Sequence, residues 1–395
     1  MTPVSHGKPC AGNPHARFDE GASASEEPRR NALLHSEWKK VCLGDLVTIR
    51  TGKRDANFGS PDGAYPFFTC ARQISRCQSY SFDCDAILLA GNCDISNMQR
   101  YCGKFEAYQR TYVLTNKDDS ISDLDYIWNC LRRDWVKVTF GKMLGAAIQY
   151  IKLGMIKEFP IALPPLSTQK HIADILSAYD DLIENNRRRV EILEESARLI
   201  FKERFGEEDA TGVLADICEE IRRAVKPSDV AVDTPYIGLE HMPRRSISLC
   251  QWEGAGKVTS TKHGFNEGEI LFGKIRPYFH KVGLAFVDGV ASSDAIVIRP
   301  LKAELRNYVL LTVSSDDFVA AASQGMKEGS KMPRADWGLL LKYPVPIPAE
   351  KTLANFNQLI EPIMQQLKAL CFTNRKLAEA RDVLLPKLMR GAEIG

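Results

Sequence analysis

Long apolar runs are missing from this chain of 395 residues. No stretch approaches about 18 consecutive apolar residues, so no membrane-spanning helix is expected. The first 36 residues lack an apolar h-region and carry acidic residues. They read as a disordered tail rather than a targeting peptide, and His6, Cys10 and His15 within it read as solvated. Closely spaced cysteines are missing too. There are 11 Cys, none in C-x-x-C spacing. Cys70, Cys77, Cys84, Cys93 and Cys102 lie seven or nine residues apart, whereas a zinc site needs close ligand pairs. They are expected to be buried free thiols, in a reducing cytoplasm. With only 7 His, no Ser/His/Asp constellation can be assembled. An excess of one charge is absent as well: the net charge of +2 says nothing by itself about nucleic acid.

Catalytic motifs for acting on DNA are likewise absent. Leu163-Pro164-Pro165-Leu166 has no Asn or Asp at its head, as a methyltransferase loop would need. No acid-x-Lys triplet follows Pro61-Asp62 at a workable distance for a metal nuclease. A self-contained DNA methyltransferase or metal nuclease is therefore not expected.

What is present is periodicity. Between Ser167 and Gly206, with no internal Gly or Pro, apolar residues recur in a 3/4 alternation: Ile172, Leu176, Tyr179, Ile183, Asn186, Val190, Leu193, Ala197 and Ile200. This predicts one helix about 55 Å long, with Ser167 as N-cap and Gly206 as C-terminal stop. Such a seam needs a partner, and the same alternation returns from Leu353 to Leu388, again with one amide, Asn374. Asn186 takes a d position and Asn374 an a position. The two helices are thus expected to pair antiparallel with the two amides meeting and fixing register.

The segments before these helices also repeat. Leu214-Ala215-Asp216-Ile217 echoes Leu43-Gly44-Asp45-Leu46. Phe265 through Gly273 echoes Phe82 through Ala90. Tyr343 to Pro348 echoes Phe159 to Pro164. Strands are expected at Ala64–Phe68, Asp85–Ala90 and Lys104–Leu114, with a helix at Asp123–Arg133 and a short amphipathic helix from Leu43. The fold class is α+β, an internal duplication of pseudo-two-fold character: 1–36 tail, 37–166 first mixed domain, 167–206 helix, 207–348 second mixed domain, 349–395 helix. Two similar but diverged domains held apart by paired helices could measure two different half-sites on duplex DNA.

Residues 159–166, FPIALPPL, followed by Gln169, Ile172, Ala173, Leu176, Asp180 and Ile183, resemble the entry into the helical spacer of DNA-specificity subunits of type I restriction–modification systems. Gly268 through Pro277 and Val282, then Asp294 through Pro300, resemble a core strand pair of that family's target recognition domains. Gly103-Lys104-Phe105 with Arg110 to Leu114 resembles the corresponding part of the other domain. The start of the second helix, Ile347-Pro348-Ala349-Glu350, departs from the pattern. The resemblance implies a subunit without chemistry of its own. It would read a split asymmetric site in double-stranded DNA and bridge two modification (methyltransferase) subunits and restriction/translocase subunits. S-adenosylmethionine, ATP and Mg would reside on those partners, and no membrane would be involved.

Candidate DNA contacts are Lys53, Arg54 and Asn57 after a Gly turn, Arg72 and Gln73 after the Tyr65 strand, and Lys104 and Arg110. In the second domain they are Lys274, Arg276, Tyr278 and Lys281, with Lys327, Lys331 and Arg334 in a Gly/Ser loop. Arg187-Arg188-Arg189 reads as a solvated helix face or a contact with a modification subunit. A coiled-coil adaptor that binds only protein remains the alternative. A steep fall of DNA affinity with salt separates the two.

Overall fold

The computed structural model describes residues 38–140, 150–324 and 333–389. It divides into two compact units, residues 1–180 with 379–395, and residues 181–378. The expected tail, with His6, Cys10 and His15, lies outside the described residues.

The first unit opens with β1 (Lys39–Cys42), a one-turn α1 (Leu43–Leu46) and β2 (Val47–Thr51). Then come β3 (Tyr65–Phe68), β4 (Ser75–Cys77), β5 (Phe82–Ala90), β6 (Met98–Ala107) and β7 (Thr111–Asn116). α2 (Leu124–Phe140), α3 (Leu153–Lys157) and β8 (Pro160–Leu163) close it. Six strands form one sheet in the order β2-β7-β5-β6-β3-β4. β5 is central because its run Ala86-Ile87-Leu88-Leu89-Ala90 is buried throughout, as only an inner strand covered on both faces can be. Alternation then sorts the run. Ile87 and Leu89 join a core with Leu43, Ile127, Leu131 and Trp135, while Ala86 and Leu88 join Phe68, Phe82 and Phe105 on the other face. Asp123 caps α2, its carboxylate accepting from Tyr126 N at 2.8 Å.

The expectation of one strand over Lys104–Leu114 is corrected. β6 ends at Ala107, Thr111 N donates to Tyr108 O at 2.8 Å, and β7 leaves along the opposite side of β5. The turn at Gln109-Arg110 contains no Gly, Pro, Asn or Asp, so nothing in its sequence announces it.

α4 (Leu166–Phe205) begins in the first unit and ends in the second. Ser167 lies inside the helix rather than at its N-cap. The first turn is closed by Gln169 N donating to Pro165 O at 3.0 Å. Gly206 N donates to Lys202 O at 2.8 Å, but Gly206 does not adopt the left-handed conformation expected of a Gly stop. Within the first unit Asp180 accepts from Arg132 at 2.5 Å and from Arg381 at 2.6 Å, tying α2 and both long helices together.

The second unit continues with β9 (Gly212–Val213), β10 (Cys218–Ile221), β11 (Ala224–Val225), β12 (Pro235–Ile237), β13 (Ser248–Leu249), β14 (Glu253–Gly254), β15 (Lys262–Phe265) and β16 (Ile270–Gly273). It goes on through β17 (Val282–Ala285), β18 (Gly289–Ala291), β19 (Ala295–Pro300), α5 (Arg306–Val313), α6 (Asp316–Gln324), α7 (Trp337–Leu340), β20 (Pro344–Val345) and α8 (Glu350–Leu388). Its sheets have the orders β10-β19-β16-β17-β13 and β11-β15-β18-β12-β14.

The antiparallel set β10-β19-β16-β17 repeats β2-β7-β5-β6, and the parallel pair β12–β18 with antiparallel β14 repeats β6–β3–β4. Where β5 and β6 run unbroken, their counterparts are each split in two. Gly268, at φ +85°, marks the break between β15 and β16. Both domains also close alike: the Tyr126 hydroxyl donates to Ala162 O and the Tyr308 hydroxyl to Pro346 O, each at 2.5 Å.

Inside the second unit Asn186 Nδ2 donates to Asn374 Oδ1 at 2.9 Å, and Phe205 packs edge-on against Phe356 at 5.1 Å. One helix's numbers rise as the other's fall, so the pair is antiparallel. Cys250 and Cys371, outside the clustered five, are brought into contact, with Cα atoms 5.1 Å apart. Of the five clustered cysteines only Cys77 is buried, and Cys93 and Cys102 are exposed. No helix among the described residues is long and apolar enough to cross a membrane.

Candidate nucleic-acid interface

In the first domain, backbone pairing gathers several candidates. Gln109 N donates to Arg54 O at 2.9 Å and Gly91 N to Arg110 O at 2.8 Å. Arg72 Nε reaches Asp94 at 2.7 Å and its Nη2 reaches Ser96 at 3.0 Å. Lys53, Arg54, Arg110, Arg72 and Gln73 thus belong to one linked group of loops. Lys53, Asn57, Gln73 and Arg110 are exposed. Arg54 is engaged differently: its Nε lies 3.3 Å from Glu106, which is fully buried and also accepts from Ser81 at 2.6 Å. Its guanidinium stacks 4.4 Å over Phe58. A lone buried carboxylate is costly, so Arg54 serves first as its counter-ion. Lys104 stands apart, opposite Asp83 and 4.9 Å over the Tyr80 ring.

In the second domain the candidates converge on the β16–β17 turn. Lys274 Nζ donates to Ser293 O at 2.6 Å, and Arg334 contacts Asp294 at 3.4 Å. Lys281 donates to Leu239 O, and burial followed by the nearby Arg244 pushes its pKa down. Arg276 and Tyr278 are exposed. Lys327 and Lys331 lie outside the described residues. One residue escaped the sequence reading: Arg244, whose guanidinium stacks 4.0 Å over Phe279. Its signal was the run Pro243-Arg244-Arg245, but the contact spans 35 positions and no periodicity reports it.

Glu240, His241 and Glu253 bring potential ligand atoms within 4.8 Å of one another. Gly238 N–H donates to His241 Nδ1 at 2.9 Å, which leaves the ring proton on Nε2. The one lone pair of that tautomer is already taken by the Gly238 N–H, and the trio carries no cation assignment.

The second domain is held to its helix by Glu194. This buried carboxylate accepts from Ser246 Oγ at 2.7 Å and Ile247 N at 3.1 Å, and burial pushes its pKa up. A carboxyl raised in the fold favours folding when protonated. Its contribution is present below the ordinary Glu range and is lost as pH rises through the raised value. Melting measured from acid to neutral pH should show this loss in the wild type and not in Glu194→Gln, which keeps an acceptor. Glu194→Ala strands the Ile247 amide and should cost about 1–3 kcal/mol.

Residues 35–195 match the family described as Type I restriction modification DNA specificity domain. The chain is 30% identical over 356 residues to the type I restriction enzyme EcoDI specificity subunit of Escherichia coli, covering 80% of this chain and 78% of that one. It is 24% identical over 357 residues to the MjaIX specificity subunit of Methanocaldococcus jannaschii, covering 81% and 80%. The crystal structure of a type I restriction–modification S subunit from M. genitalium superposes with a TM-score of 0.58 at 16% identity, over 92% of this chain and 98% of that chain. It shares the fold.

Proposed function

Since the chain belongs to the type I restriction enzyme specificity subunits, we propose that its two mixed domains each read one half of a split, asymmetric DNA site on behalf of a modification and restriction assembly. The observation that carries this reading is the repeated strand order with different side chains at corresponding turns. The β5–β6 turn holds Cys93-Asp94-Ile95-Ser96, where the β16–β17 turn holds Arg276-Pro277-Tyr278-Phe279. One scaffold with two chemistries suits two different half-sites.

In this role the chain supplies recognition and assembly, and the chemistry belongs to its partners: two modification subunits that methylate adenine using S-adenosylmethionine, and restriction subunits that use ATP and Mg. It works in the prokaryotic cytoplasm. Asn186 and Asn374 serve as the register lock of the helix pair.

The test is co-expression with the neighbouring genes, recovery of a methyltransferase, and mapping of methylated adenines in the host DNA. A split methylated site with a fixed gap is the expected result. Log affinity of the assembly for that site should fall steeply and linearly with log salt, each phosphate contact adding roughly 0.9 to the slope. A chain that binds protein partners but shows no salt-dependent DNA affinity would restore the adaptor reading.

A further inference from the structure

The β16–β17 turn is pinned unusually well for a surface loop. Lys274 N donates to Asp294 O, Ala335 N to Lys274 O and Arg276 N to Pro333 O, all at 2.8–2.9 Å. His280 N donates to Pro277 O at 2.7 Å and Arg245 N to His280 O at 2.9 Å. His280 is buried, one ring nitrogen 2.7 Å from Ser314 O, and Pro277 is buried. Arg276 and His280 both hold left-handed backbone, at φ 50° and 53°, which residues with a Cβ seldom adopt. Out of this fixed frame projects Tyr278, 51% exposed. Beside it stands Phe279, its ring edge-on at 4.9 Å, with Arg244 4.0 Å and Arg276 5.7 Å from the Phe279 centroid.

The first domain contains the same turn put to the opposite use. Cys93 is left-handed at φ 63°, as Arg276 is, 183 positions later. Asn92 bridges to Tyr150 as Ile275 bridges to Arg334. Asn97 N donates to Asp94 O just as His280 N donates to Pro277 O, and the ladder closes with Ala90 N on Asn97 O where the second turn, one residue longer, closes with Gly273 N on Lys281 O. The residue equivalent to Tyr278 is Ile95, and it is buried, its carbonyl accepting from Trp135 Nε1 at 2.9 Å. The turn therefore closes with this side chain inside the protein. Nothing in its backbone requires an aromatic ring in solvent.

We propose that Tyr278 is a base-stacking residue: its ring lies against the face of a base at an opened step of the half-site read by the second domain, while Arg244 and Arg276 hold the flanking phosphates. An aromatic face stacks on any base, and a rigid turn delivers it with little ordering entropy. Opened steps are expected where a base must leave the helix for methylation, and side chains inserted at such steps keep the duplex distorted. The inference rests on the proposed DNA-reading function and adds to it one residue, one contact type and one half-site.

The test uses the full assembly with its modification subunits and duplexes built on the mapped site, carrying 2-aminopurine at successive positions of each half. Wild-type binding should brighten one position in the second domain's half. Tyr278→Ala should abolish that signal and weaken binding about tenfold or more, with the salt slope unchanged and the melting temperature preserved. Tyr278→Phe should retain both signal and affinity, since the ring and not the hydroxyl is used. Wild-type affinity in Tyr278→Ala, or a Tyr278→Phe loss equal to that of alanine, overturns the assignment. An assembly whose wild type shows no salt-dependent binding overturns the DNA-reading function itself, an outcome distinct from a neutral Tyr278 in an assembly that binds.

Discussion

Trp135→Ala should remove roughly 3–5 kcal/mol from the stability of the first domain, the range for emptying a large aromatic site in a packed core. Trp135 is fully buried, lies 5.5 Å from the Phe159 ring and donates its indole N–H to Ile95 O. The loss therefore has two parts: a cavity under the sheet, and a carbonyl released in the β5–β6 turn. Trp135→Phe separates them, filling most of the space while leaving Ile95 without its donor. It should cost about 1–3 kcal/mol. Denaturant unfolding of the three proteins gives the comparison. Equal stability of Trp135→Ala and wild type would mean that α2 does not hold this sheet.

Gly52→Ala should be nearly as damaging, through backbone collision rather than a void. A Cβ there would sit 1.8 Å from Ala107 O and 2.6 Å from Tyr108 O, atoms that cannot rotate away. The end of β2 would have to leave the strand beside it, carrying Lys53 and Asn57 out of place. A loss of roughly 3 kcal/mol or more is expected, together with weaker DNA binding by the assembly. Gly154→Ala is the control, because its Cβ would meet nothing nearer than Glu158 Oε1 at 3.9 Å, inside helix α3. That change should be neutral or stabilise by about 0.5–1 kcal/mol. Similar melting curves for the two alanine variants would show that the close approach at Gly52 can relax.

The long helices were legible because a 3/4 alternation of apolar residues states both the element and its buried face, and an amide in that alternation marks itself. The duplication was legible in the buried strand β5, whose apolar run recurs in β16. Turns carried less information. Gln109-Arg110 lacks turn chemistry, and the splitting of β15 from β16 depends on a left-handed Gly268 that reads as an ordinary Gly in sequence. Side-chain pairing across the fold was not legible at all. Arg54 looks like a free cation until Glu106 is placed beneath it, and the Cys250–Cys371 contact joins residues 121 positions apart. Candidates chosen by residue type alone thus mix structural cations, such as Arg54 and Lys281, with exposed side chains, such as Lys53 and Tyr278. Their partners in the fold tell them apart.

In each domain the first strand pairs antiparallel with the last: β1 with β8 over four residues, and β9 with β20 over two. The chain therefore enters and leaves each domain at one place, through a short ladder in which Val41 faces Ile161 and Val213 faces Pro344. Everything between is a closed excursion. Genetic exchange that breaks the gene at these paired strands would replace a whole reading surface and leave the helices' seams untouched. On this architecture new target sites can arise by recombination of intact domains, without each having to be built up one substitution at a time.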